Sequence, residues 1–246
     1  MTRLSLKNIS LQFGHHKILT NINFDVHPGE VVALLGDNGA GKSSLIKIIS
    51  GFHPPSSGSL YWEGDEVTAS KFNPKKAQIL GIQTVYQHLG LVDSLSISRN
   101  FFLGRELKKK KFPFLSYLDD EGMNEIVTGY LKEMGISRSL NPELPVSFLS
   151  GGERQAIAIA RAKHFGAKLL ILDEPTSALS LKQTNEVLSI IKQASQLGLS
   201  VIFITHSLHH TRDLVNQTYV LNKGTLVAKL SSPVDEKVCA QLMTMN

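Results

Sequence analysis

One stretch limits the fold of this 246-residue chain more tightly than any other: Gly36-Asp37-Asn38-Gly39-Ala40-Gly41-Lys42-Ser43. The apolar run Val31-Val32-Ala33-Leu34-Leu35 leads into it, of a kind buried on both faces of a sheet. Residues 43–50 continue as a helix, ended by Gly51 and the Pro54-Pro55 pair. Strand, glycine turn and helix in that order make a phosphate seat, because consecutive backbone N–H groups surround the anion and the helix adds its positive end. Glycines permit the close approach. Lys42 is then available to β- and γ-phosphates, Ser43 to a magnesium ion, Ser44 as a further hydroxyl, and Asn38 and Ala40 as backbone contacts.

The remaining pattern supplies an α/β framework around this unit. Leu4, Leu6, Ile9, Leu11 and Phe13 approximate the alternation of a half-buried strand, residues 18–26 read similarly, and the two are expected to run antiparallel. Residues 74–80 read as a helix and 82–86 as a strand ending at Gln87. From 88 to 146 the character changes. Apolar residues at helical spacing around 123–134, interrupted by lysines and by Pro113, Pro142 and Pro145, predict a mostly helical insertion. The α/β rhythm returns with a helix from Gly151 through Ala162, the strand Leu169-Leu170-Ile171-Leu172, a helix carrying Val187, Ile190, Ile191, Ala194 and Leu197, and a strand over 200–205. A hairpin over 218–230 turning at Asn222-Lys223-Gly224 and a short helix close the chain. No internal repeat or low-complexity tract appears.

Composition narrows the function classes. A chain with 42% hydrophobic residues buries a sizeable core as one large α/β domain with an inserted subdomain, and a second full catalytic domain does not fit. The single cysteine, Cys239, excludes an intrachain disulfide framework and suits a reducing compartment. The first 26 residues lack the pattern of a secretory leader, and no run is long enough to cross a bilayer, so membrane association is expected through a partner. The net charge of +5 concentrates only at Lys108-Lys109-Lys110-Lys111, read as a solvated segment. Aromatic residues are not interleaved with cations as a base-stacking platform needs, so nucleic acid is not an expected partner. The adjacent pairs His15-His16 and His209-His210 have no accompanying acid or thiol cluster, and neighbouring side chains diverge, so they read as solvated histidines.

Two further constellations carry chemistry. The apolar strand ends in Asp173-Glu174-Pro175, presenting two acids whose side chains diverge: Asp173 is expected to reach magnesium, and Glu174 to face an attacking water as general base. Leu149-Ser150-Gly151-Gly152-Glu153-Arg154-Gln155 is a Ser-led, glycine-containing helix start and offers a second anion seat.

Taken in order, the glycine loop, Gln87 after a strand, the Ser150-Gly151-Gly152 segment, Asp173-Glu174-Pro175-Thr176 and His206 in Ile204-Thr205-His206 resemble the nucleotide-binding subunit of an ATP-binding cassette (ABC) transporter. The resemblance spans nearly the whole chain. It implies a P-loop NTPase core with an N-terminal antiparallel β-subdomain, together covering about 1–87 and 151–246, and an inserted α-helical subdomain over about 88–150 that ends in the signature segment. It also implies ATP and Mg2+ as cofactors and two chains packed head to tail, each ATP touching the glycine loop of one and Ser150, Gly151 and Gly152 of the other. By the same resemblance, Phe13 stacks on adenine, Gln87 links magnesium and the attacking water to the membrane subunits, and His206 senses the γ-phosphate. A lone Phe in an alternating strand is otherwise a core residue, and a histidine after a strand otherwise caps the next helix. Ser180 departs from the family, which usually has an aspartate there that couples the two sites.

The alternative class is a soluble ABC ATPase of DNA repair or translation, but 88–146 is too short and proline-broken for a long coiled coil, and the chain holds one cassette. Within the transporters, residues 35–42, 81–87, 100–106 and 206–210 resemble bacterial importers of monosaccharides in their shorter, single-cassette form, with a non-sugar cargo as the alternative. The implied partners are permease subunits and, indirectly, a periplasmic or extracellular sugar-binding protein. The implied place is the cytoplasmic side of the cell membrane. Residues 231–246 are too few for a regulatory β-domain.

Overall fold

The computed structural model describes residues 2–87, 89–112, 115–134, 140–206 and 214–244. The chain divides into two compact units, one of residues 1–87, 166–175 and 194–246, the other of residues 88–165 and 176–193.

In the first unit β1 (Leu4–Phe13) and β2 (His16–Val26) pair antiparallel. The alternation of β1 breaks once: Leu4 and Leu6 are buried, and so are Ile9 and Leu11. The register shifts between Leu6 and Ile9, where Asn8 takes a positive φ of 53°. An inserted residue of this kind returns the following side chains to the buried face, and Asn tolerates the left-handed conformation it requires. Next come β3 (Val31–Leu35), buried throughout, α1 (Lys42–Ile49), β4 (Ser57–Trp62), β5 (Asp65–Val67), α2 (Pro74–Leu80) and β6 (Ile82–Val85). Helix α2 is bounded as its residues dictate: the Asn73 side chain accepts from Lys76 N–H, Pro74 opens the first turn, and Gly81 ends it at φ 93°.

The second unit begins with α3 (Ile97–Phe101), β7 (Lys108–Phe112), β8 (Leu115–Leu118), α4 (Asp120–Glu133) and α5 (Gly151–His164). The inserted region is therefore not helical throughout, since β7 and β8 form an antiparallel hairpin. The four-lysine run lies in β7; Lys108 and Lys110 are exposed, as expected of a solvated segment, and Lys109 stands 2.8 Å from Asp119 and 3.4 Å from Glu121. Facing acids beyond the partner strand, absent from the run itself, let like charges share one strand. Ile97, Phe101, Phe102, Met123, Val127, Leu131 and Ile157 are buried in this unit. His164 sits among the rings of Phe101, Phe102, Tyr130 and Phe165, and burial pushes its pKa down.

The chain continues with β9 (Leu169–Asp173), α6 (Leu181–Gln196), β10 (Ser200–Thr205), β11 (Gln217–Asn222), β12 (Thr225–Ser231) and α7 (Glu236–Thr244). Two sheets build the first unit: an antiparallel one in the order β2-β1-β4-β5, and a six-stranded one in the order β12-β11-β3-β10-β9-β6. In the latter only β12 runs antiparallel to its neighbour. Leu45, Ile46, Ile48 and Ile49 of α1 share one core cluster with Leu4, Leu6 and Phe24 of the first sheet and Leu34, Ile171 and Ile202 of the second. Burying each such side chain contributes roughly 1.5–3 kcal/mol, so the start of α1 is fixed by the core beneath it.

Candidate nucleotide-binding site

Strands β6, β9, β10 and β3 are consecutive neighbours and parallel, so their carboxyl ends share one edge of the sheet. Each end carries a residue singled out from the sequence. Gln87 follows β6, Asp173 and Glu174 end β9, His206 follows β10, and Gly36 follows β3. Clefts at such strand ends are where open α/β sheets bind ligands.

The loop leaving β3 is shaped by backbone approach. A Cβ at Gly36 would lie 2.4 Å from the Leu221 carbonyl oxygen, and one at Gly41 2.8 Å from Leu19 Cδ2. Gly39 and Gly41 take positive φ of 82° and 107°, and Gly41 is the residue preceding α1. No side chain caps that helix start and no acid lies in its first turn, which leaves its first N–H groups directed outward for an anion. Asn38 and Gly39 are exposed, Ala40 is buried, and Ser43 is exposed beside half-buried Ser44. Lys42 donates to the carbonyls of Gly36 (2.5 Å) and Asp37 (3.0 Å). Burial lowers its pKa, and the charges of Glu174, Asp173 and Asp37 oppose that shift.

Glu174 sits at φ 48°, a left-handed conformation unusual for a residue with a Cβ, while its N–H donates to the Ile204 carbonyl of β10 (3.0 Å). The turn away from strand geometry separates the two acids. Glu174 Oε1 lies 3.1 Å from His206 Nδ1, so that strand neighbours β9 and β10 bring carboxylate and imidazole together. Asp173 is half-buried; burial first, then the Glu174 charge, push its pKa up, and Lys42 offsets part of this. An acid so placed, with a second carboxylate beside it and a hydroxyl at the α1 start, is a donor set that suits a hard divalent cation, whose charge would relieve the strain.

Phe13, at the end of β1, is 52% exposed and meets His53 edge-on with ring centroids 5.7 Å apart. It is not a core residue, and its ring is open to stacking. His15 and His16 are exposed, whereas His209 and His210 lie outside the described residues.

Ser150, Gly151 and Gly152 belong to the second unit. Ser150 is the N-cap of α5 in a reciprocal box: its Oγ accepts from Glu153 N–H (3.2 Å), and Glu153 Oε2 accepts from Ser150 N–H (2.8 Å). Its hydroxyl proton remains to be donated. Arg154 straps the preceding turn, donating to the carbonyls of Leu149 and Ser147 (3.3 Å each) and to Asp93 (3.0 Å). Ser180, in place of the acid expected there, spends its hydroxyl at the start of α6 on Gln183.

Sequence reasoning missed the residues that support the site. Gly224, in the β11–β12 turn, donates its N–H to the Ala40 carbonyl (2.9 Å) and accepts from Thr20 N–H (2.8 Å), tying the glycine loop to the hairpin. Asn100 is fully buried: its Nδ2 donates to the Val92, Leu95 and Ser96 carbonyls and its Oδ1 accepts from Val92 N–H, fixing the loop before α3. A Gly within an NKG turn reveals one end of such a contact, but not its partner.

Comparison with known proteins agrees with this geometry. Residues 19–177 match the ABC transporter family, and the chain belongs to it. It is an ABC transporter ATPase that binds ATP. The chain is 42% identical over 224 residues to the xylose/arabinose import ATP-binding protein of Sulfolobus acidocaldarius, covering 91% of this chain and 86% of that one. It is 38% identical over 223 residues to the fructose import ATP-binding protein of Rhizobium meliloti, covering 90% and 85%. In fold it resembles the ADP conformation of MJ1267, an ATP-binding cassette of an ABC transporter, with a TM-score of 0.82 at 23% identity over 99% of this chain and 95% of the other.

Proposed function

We propose that this ATPase powers the import of a monosaccharide through permease subunits, working as a homodimer on the cytoplasmic face of the membrane with a sugar-binding protein delivering the cargo. No described helix is long and apolar enough to cross a membrane, so the permease must supply the path. The observation that carries the chemistry is the row of strand ends: Gln87, Asp173 with Glu174, His206 and the glycine loop on four consecutive parallel strands. The import reading and its sugar cargo rest on the names of the relatives.

The glycine loop from Gly36 to Gly41 and the N–H groups opening α1 hold the phosphates, Lys42 and the hydroxyls of Ser43 and Ser44 join them, and Phe13 stacks on adenine. Ser43, Asp173 and Gln87 would hold Mg2+, which when bound neutralises charge on the phosphate oxygens. Glu174 removes a proton from water as the water oxygen bonds to the γ-phosphorus and the bond to the β-phosphate oxygen breaks, giving ADP and inorganic phosphate. His206 orients Glu174 through Nδ1, 3.1 Å from its Oε1. The other ring nitrogen, Nε2, is the one left to contact the γ-phosphate. Ser150, Gly151 and Gly152 of the second chain complete the site.

Co-purification from native membranes tests this reading. Recovery with a permease and a component that binds pentoses or hexoses is the expected result; recovery with ribosomes or DNA would overturn it. Cysteines placed at Ser43 and Ser150 should crosslink between chains, and more strongly with ATP.

A further inference from the structure

The glycines that open α5 are backed by the segment entering α6. A Cβ added to Gly151 would come within 2.6 Å of Leu179 Cδ2, and one added to Gly152 would stand 3.3 Å from Gln183 Cβ and 3.4 Å from the Gln183 carbonyl oxygen. Gly152 is buried, and the atoms beneath it belong to a residue whose own side chain is spoken for. Gln183 Oε1 accepts from the Ser180 N–H (3.0 Å) and from the Ser180 hydroxyl (3.1 Å), and Ser180 Oγ accepts from Gln183 N–H (3.4 Å). The Ser180 carbonyl accepts from Thr184 N–H (2.8 Å), as an N-cap residue's does. This is a second capping box, and it pins the backbone and Cβ of Gln183 where they meet Gly152.

We propose that Gln183 is a positioning residue for the turn Ser150-Gly151-Gly152. By closing the α6 box it holds a rigid floor under Gly152, so that the Ser150 hydroxyl and the first N–H groups of α5 keep one direction. The proposal rests on the reading that this turn contacts ATP held by a second chain. Loss of the box frees the first turn of α6 and, through the contact with Gly152, loosens the partner half-site while leaving the glycine-loop half untouched.

The test uses the full-length chain carrying Glu174→Gln, so that ATP persists, and follows ATP-driven dimerisation by sedimentation alongside binding of a fluorescent ATP to the dilute monomer. Gln183→Ala should raise the ATP concentration for half-maximal dimerisation about fivefold, the scale of a lost cap, with monomer binding unchanged. Gln183→Glu completes the same box through a carboxylate oxygen and should return the value to within about twofold of the parent. Ser180→Ala, which opens the box from the other side, should reproduce the Gln183→Ala shift and serves if that variant does not fold. A lowered melting temperature with unchanged ATP dependence would reduce Gln183 to a helix cap and overturn the proposal. Gly152→Val is the control for the underlying reading: its loss of dimerisation keeps the half-site, whereas intact dimerisation would remove the half-site and Gln183's role together.

Discussion

The strand-end edge of the first unit and the α5 start of the second both present groups suited to phosphate, but they are assembled by opposite means. At the edge, Gln87, Glu174, His206 and Gly36 come from distant parts of the chain, aligned by the parallel register of β6, β9, β10 and β3. At α5 the box of Ser150 and Glu153 and the Arg154 strap are nearly all local, with Asp93, Leu179 and Gln183 added from elsewhere in the same unit. Sheet register makes the first region rigid and suited to bond chemistry. The second depends on caps worth about 1 kcal/mol each, and suits a surface that is completed and released.

If that division is right, chemistry is lost most sharply at the edge. Glu174→Gln should lower phosphate release by about 10²–10⁴-fold, the range for removal of a general base, while ATP binding persists; near-normal release would break the assignment. On the proposed role of Lys42, Lys42→Ala takes away a charge-assisted contact to phosphate and should weaken ATP binding about 10–100-fold in calorimetry, from the roughly 1.5–3 kcal/mol of such bonds.

In the second unit Asn100→Leu is a stability change instead. It leaves the Val92 N–H without its acceptor and takes one donor from the Val92, Leu95 and Ser96 carbonyls, which keep the N–H groups of Leu95, Val146 and Asn100, at a cost of about 1–3 kcal/mol. Hydrogen exchange should accelerate across 92–96 with the β9 and β10 amides unchanged, and exchange rising equally in both units would contradict the division.

The smallest effect concerns Asp173. An acid whose folded-state pKa lies above its unfolded one holds its proton more tightly in the native state, so stability falls as pH rises through the interval between them, and the whole penalty stands above it. Asp173→Asn should therefore melt higher than the parent at neutral pH without nucleotide, the gain shrinking as pH falls toward about 4, the ordinary carboxylate value. A gain independent of pH would point to packing.

Much of both regions was legible in the residues. The apolar run before the glycines, the Ser-x-x-Glu box at 150–153 and the acids after Leu172 are short-range patterns with local physical causes. Local periodicity was not enough for two features. The β7–β8 hairpin was hidden because consecutive lysines carry no alternation, and its acids, Asp119 and Glu121, lie past the partner strand. By alternation Phe13 reads as core and only the family resemblance points to a stacking ring, since alternation does not reveal that the strand outruns the core beneath it.

By itself the sequence determined which segments flanking the glycine loop and following Gly151 are strand, loop and helix, because backbone dihedrals, caps and the period of apolar residues are set within a few neighbours. It thereby fixed the chemical type of each site residue and the family. Only the tertiary structure decided which strands are neighbours, hence that His206 reaches Glu174, that Leu221 and Gly224 brace the glycine loop, and that Gln183 stands under Gly152. Those contacts join residues tens to hundreds of positions apart, and no local preference encodes a distance of that kind; burial of the common core and the register of the sheet do.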